Sequence, residues 1–139
     1  MRGWWALGAA AVLAACGQAA GPSVEGAWVR LPAVPGRPAA AYFMLYGGGA
    51  DAHLIRVTAG GAVRAELHES MANGMRPSGS VRVPAGGTAG FAPGGRHVML
   101  FGLDPRVRPG GTVPLRLLFA DSRVLTTQAK VVAAADPAP

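Results

Sequence analysis

The chain has 139 residues, which favours one domain; half of them are hydrophobic and only 14% are charged, a balance that suits a packed globule rather than disorder. Its 21 glycines and 12 prolines follow no collagen period and fall between short apolar runs, so turns should dominate over long helices. The net charge of +6 comes mostly from arginines scattered singly between Arg2 and Arg123. They form no cluster able to track a phosphate backbone, and nucleic acid is not an expected partner.

Along the chain, Arg2 supplies a positive start, 4–15 is an apolar run and Leu13-Ala14-Ala15-Cys16 follows. The run is too short for a permanent membrane-spanning helix and reads as an export signal over 1–15. Leu-Ala-Ala-Cys resembles a bacterial lipoprotein processing box, which implies that Cys16 becomes the first mature residue and carries the acyl chains that anchor the protein to a membrane. An ordinary secretory peptide cut near Ala20 is the alternative. Cys16 is the single cysteine, so the mature body has no disulfide of its own. The stretch 16–23 is small and polar, as expected of a tether.

From residue 24 the sequence predicts short strands at 24–31, 40–46, 53–58, 63–68, 80–83, 88–91, 97–101, 113–119 and 123–132. They are separated by turn residues such as Gly60-Gly61, Asn73-Gly74 and Asp121-Ser122. About nine strands at this spacing make an all-β sandwich or barrel over 24–132. The tail at 133–139 is expected to be disordered.

Several motifs fail. Gly47-Gly48-Gly49 and Gly86-Gly87 precede no helix and lack the Gly-Lys-Ser/Thr of a phosphate loop. Ser70 lies near His68, but no Gly-x-Ser-x-Gly elbow or orienting aspartate accompanies it. Glu66 and Glu69 fall on opposite faces of a strand, which does not suit a glycosidase pair. The protein is not expected to be an enzyme.

The histidines and methionines are more informative. In Arg96-His97-Val98-Met99-Leu100-Phe101, a period of two puts His97 and Met99 on one face and Val98 and Leu100 on the other. In 63–68 the same count assigns Val63, Ala65 and Leu67 to the core and Arg64, Glu66 and His68 to the wetter face. Met44 reads as core packing, His53 as a surface or edge histidine, and Trp28, Tyr42 and Phe43 as core aromatics.

Leu67-His68-Glu69, Met75-Arg76-Pro77, Val83-Pro84-Ala85-Gly86-Gly87 and the run from Pro93 through His97-Val98-Met99 to Leu103 resemble the periplasmic PCu(A)C copper chaperones. The resemblance implies a cupredoxin-like β-sandwich that binds Cu(I) through two histidines and two methionines, here His68, Met75, His97 and Met99. It also implies delivery to the copper centre of cytochrome c oxidase subunit II, alongside a thiol-containing copper metallochaperone. Met75 and His97 enclose twenty-one residues and His97-x-Met99 follows, as in the family. His68 and Met75 enclose six residues where the family usually has ten.

That shortening has a geometric consequence. With a hairpin turn at Asn73-Gly74, Ala72 faces Met75 and His68 lies four residues back, roughly 13 Å away. A shared ion then requires 69–74 to leave the sheet as a loop, and Met71 is the fallback or additional ligand. Thioethers with imidazoles, without thiolate or carboxylate, select Cu(I) over harder metals and zinc. Binding should weaken as the imidazoles protonate. The rival expectations are a copper-storage or resistance protein and a metal-free envelope binding module; a blue-copper carrier lacks its cysteine.

Overall fold

A computed structural model of the chain describes residues 20–139; the export signal at 1–15, Cys16 and most of the expected tether lie outside the described residues. The described residues form ten strands and no helix: β1 (Ser23–Arg30), β2 (Ala39–Tyr46), β3 (Ala52–Ala59), β4 (Arg64–Met71), β5 (Gly74–Pro77), β6 (Val81–Val83), β7 (Thr88–Phe91), β8 (Arg96–Phe101), β9 (Thr112–Phe119) and β10 (Val124–Val132). Nine correspond to the expected runs. The tenth, β5, carries no strand signal of its own, because Gly-Met-Arg-Pro has neither β-branched residues nor alternation.

The ladder runs β5-β4-β8-β2-β1-β10-β9-β3-β6, with β7 also paired to β2. It curls so that its halves face one another, giving the all-β sandwich. Only β1 and β10 are parallel; the other pairs are antiparallel, as short turns allow. Period two decides what is buried. In β9, Val113, Leu115, Leu117 and Phe119 are each 1% exposed or less, while Thr112, Pro114 and Arg116 between them face out. Val29, Phe43, Leu45, Leu54, Val98 and Leu100 complete the same core.

Several expectations need correction. Met44 is 37% exposed: it shares the outer face of β2 with Tyr42 and Tyr46, whereas the core takes Ala41, Phe43 and Leu45. Val63 is 87% exposed, because β4 begins one residue later and Val63 lies in the preceding turn, against Gly102. Of the three aromatics expected in the core, only Phe43 joins the central cluster, beside Phe91 and Phe119. Trp28 and Tyr42 are buried on the outer face, with ring centroids 4.5 Å apart and the Arg30 guanidinium over Trp28. The end of the expected tether is tied down, since the Ala20 carbonyl accepts from the Gly49 amide and Ser23 already pairs with Tyr46. In the tail, Ala133 N–H donates to the Asp136 carboxylate, and Arg30 donates to the Asp136 carbonyl.

Candidate metal centre

The edge made by β5, β4 and β8 carries the residues singled out in the sequence. On β4, Ala65 and Leu67 turn inward and Arg64, Glu66 and His68 turn outward. The antiparallel register then sets each opposite a residue of β8, Arg64 with Phe101, Glu66 with Met99, and His68 with His97. On the other side His68 pairs with Pro77 and Ser70 with Met75. Residues paired across antiparallel strands share a face. His68, Met75, His97 and Met99 therefore all project from the outer face of this edge, with His68 on the middle strand.

The β4–β5 hairpin turns at Ala72-Asn73, one residue earlier than expected, and Met71 pairs with Gly74. This moves Met75 two residues closer to the level of His68 without changing its face. The interval of roughly 13 Å expected from the other register becomes that of a diagonal pair, about 7–8 Å between backbones. Segment 69–74 does not leave the sheet; the correction is one of register. Gly74 makes it possible, because its φ of +132° is a conformation side chains with a Cβ resist. Met99 is the diagonal neighbour of His68 on the other flank, by the same count. Met71, the fallback ligand, falls on the opposite face of the hairpin from His68 and Met75.

The two imidazole centroids lie 5.9 Å apart. His97 is 4% exposed and is the one buried polar residue among the described core. On β8, His97 follows directly on the last pair with β2, Ala41 with Val98, and has the His68 ring as its aromatic neighbour. Each histidine has one nitrogen engaged. His97 Nδ1 lies 3.0 Å from the Gly95 carbonyl, which also accepts from the Ser70 amide. His68 Nε2 lies 2.9 Å from a Glu66 oxygen, and Arg64 binds the other oxygen at 2.8 Å. His68's hydrogen bond, with help from Arg64, holds the Glu66 carboxyl below its ordinary range against the opposing effect of desolvation. The remaining nitrogens, His68 Nδ1 and His97 Nε2, are buried without a partner. A buried polar atom left unpaired costs about 1–3 kcal/mol, and two on adjacent rings mark a place built for something that accepts lone pairs.

Among the described residues no group of three or more histidines and carboxylates could hold a metal ion. A metal here would need the thioethers. The two nitrogens and two sulfurs suit a soft monovalent ion: they carry no net charge, and sulfur is a poor ligand for hard cations. Met75 is 59% exposed, so one side of the site is open to an incoming partner. Sequence reasoning missed the role of Glu66, although its i−2 spacing from His68 on a strand puts both on one face. His53 is exposed on β3.

The model of the LpqE-like lipoprotein family matches residues 23–131. A protein of Leifsonia xyli subsp. xyli that carries the name lipoprotein Lxx21020 is 35% identical over 109 residues. The match takes in 75% of this chain and 65% of that protein, so the chain spans a little under two thirds of that relative's length. Among solved structures, the copper-bound PCuAC domain from PmoF2 matches at a TM-score of 0.71 and 21% identity, over 84% of this chain and 96% of that one. That likeness is one of fold. The solution structure of CuI-DR1885 from Deinococcus radiodurans matches at a TM-score of 0.67 and 32% identity, over 84% of this chain and 82% of that one. The chain belongs to the LpqE-like lipoprotein family, and its fold is that of the PCuAC domains.

Proposed function

We propose that this protein is an exported copper chaperone that carries one Cu(I) as cargo, held by His68, Met75, His97 and Met99. The observation that carries the reading is the cross-strand histidine pair, each ring with one buried, unpartnered nitrogen, on the face shared by the two methionines. The copper carried by the copper-bound PmoF2 domain and by CuI-DR1885 supports the choice of metal. Neutral imidazole and thioether donors match Cu(I) in softness and leave its charge uncompensated. Such a site can release its ion to a partner that offers better ligands one at a time, and the exposed Met75 is where exchange would begin.

The recipient in this reading is the copper centre of cytochrome c oxidase subunit II, with a thiol-containing copper metallochaperone as a second partner. The protein works in the periplasm or cell envelope, anchored through lipidated Cys16; its lipoprotein family supports the anchor. Titration of the purified protein with Cu(I) against a competing chelator should give one equivalent bound, and mixing the loaded protein with apo subunit II should move the copper. A stoichiometry well below one would overturn the copper reading. Tight binding without transfer would instead make this a storage or resistance protein.

A further inference from the structure

An imidazole can offer a metal only one nitrogen while the other carries hydrogen, and which is which depends on its neighbours. His68 Nε2 sits 2.9 Å from Glu66 Oε2. A carboxylate can only accept, so the hydrogen lies on Nε2 and the lone pair on Nδ1. That Nδ1 is the atom found buried without a partner. Glu66 is itself fixed: its Oε1 accepts from Arg64 Nε at 2.8 Å, and the Arg64 guanidinium rests 4.2 Å above the Phe101 ring centre. With both oxygens engaged, the carboxylate is committed to orienting and is not a free ligand.

Resting on the copper reading of the site, we propose that Glu66 is a positioning residue that locks His68 in its Nε2–H tautomer and dedicates Nδ1 to the metal. His97 is locked the opposite way. Its Nδ1 donates to the Gly95 carbonyl, which leaves Nε2 for the metal. The site thus uses one histidine through each kind of nitrogen, and Phe101, Arg64 and Glu66 form the support behind His68. A carboxylate behind a ligating histidine fixes ring orientation and raises ligand basicity.

Two-bond proton–nitrogen spectra of the full-length ¹⁵N-labelled protein read both tautomers directly, before any metal is added. The unaltered protein should show His68 as Nε2–H and His97 as Nδ1–H, and Cu(I) should perturb His68 Nδ1 and His97 Nε2. Glu66→Gln keeps an acceptor oxygen and should preserve the His68 tautomer. Glu66→Ala should lose it and weaken Cu(I) binding by about tenfold or more, while His97 stays Nδ1–H because its partner is backbone. If His97 changes too, the alanine variant has disturbed the fold and the glutamine variant decides. His68 found as Nδ1–H in a protein that still binds Cu(I), or unchanged in Glu66→Ala, would overturn the proposal and leave the copper reading intact. The expected tautomers in a protein that binds no Cu(I) would uphold the lock and sink the copper reading.

Discussion

His97 illustrates how a site residue can cost stability. Its buried Nε2 has no partner, and in the metal-free protein that atom forgoes its hydration. Replacing it by leucine, of similar volume, removes the orphan atom but also the bond to Gly95, whose carbonyl keeps the Ser70 amide. We expect His97→Leu to lose no more than about 1 kcal/mol of metal-free stability in urea unfolding, and to weaken Cu(I) binding at least tenfold. The two methionines separate the same quantities. Met75→Leu and Met99→Leu conserve volume and should cost less than about 1.5 kcal/mol of stability, yet each should weaken Cu(I) binding at least tenfold in chelator competition. Met71→Leu, on the opposite face, should leave it unchanged. Equal losses at all three positions would mean that the thioethers act through packing.

The β4–β5 hairpin shows the same separation at the scale of an element. All four residues of β5 are exposed, so the strand adds little to the core, but its register decides how near Met75 comes to His68. Gly74 holds that register at a φ of +132°, with open space around a hypothetical Cβ. Gly74→Ala therefore introduces backbone strain of about 1–3 kcal/mol and no clash. The hairpin can escape this by slipping or fraying. We expect faster amide exchange in β5, unchanged exchange in β9, a nearly constant melting temperature and weakened Cu(I) binding. A global loss of protection would show that the edge is part of the cooperative core. The deletion that shortens this loop was visible in the sequence; its outcome was not, since Ala72-Asn73 and Asn73-Gly74 both suit a tight turn and differ only in pairings that other strands bias.

For the molecule as a whole, metal and protons act on the same folding equilibrium. Cu(I) at a thousand times its dissociation constant should stabilise the domain by about 4 kcal/mol, a rise in melting temperature of roughly 10–20 °C for this size. Scanning calorimetry with and without Cu(I) would show it, and a shift near zero would contradict tight binding to the folded state. Away from the site, hydrogen bonds from Arg106 hold the Asp104 carboxyl at about 2, below the 3.8 expected of the free group. A depressed carboxyl adds stability that is fully present above about 3.8 and is lost as pH falls through about 2. Asp104→Asn should thus melt lower than the unaltered protein at neutral pH, by a small margin because the pair is solvent-exposed. The margin should close between about pH 4 and 2; one that stayed constant with pH would rule the ion pair out as its source.

The all-β class, nine of the ten strands and the face carrying His97 and Met99 were legible in the chain alone, because alternation and turn chemistry are local and strands translate them directly into sides of a sheet. Local pattern could not tell Phe43 from Tyr42, since both sides of this sheet are covered: the core takes one, while Trp28 and Arg30 cover the other. Nor could it place two histidines twenty-nine residues apart at the same level of neighbouring strands. That pairing, the hairpin register beside it and the carboxylate behind His68 depend on contacts between distant segments, which only the closed sandwich brings together.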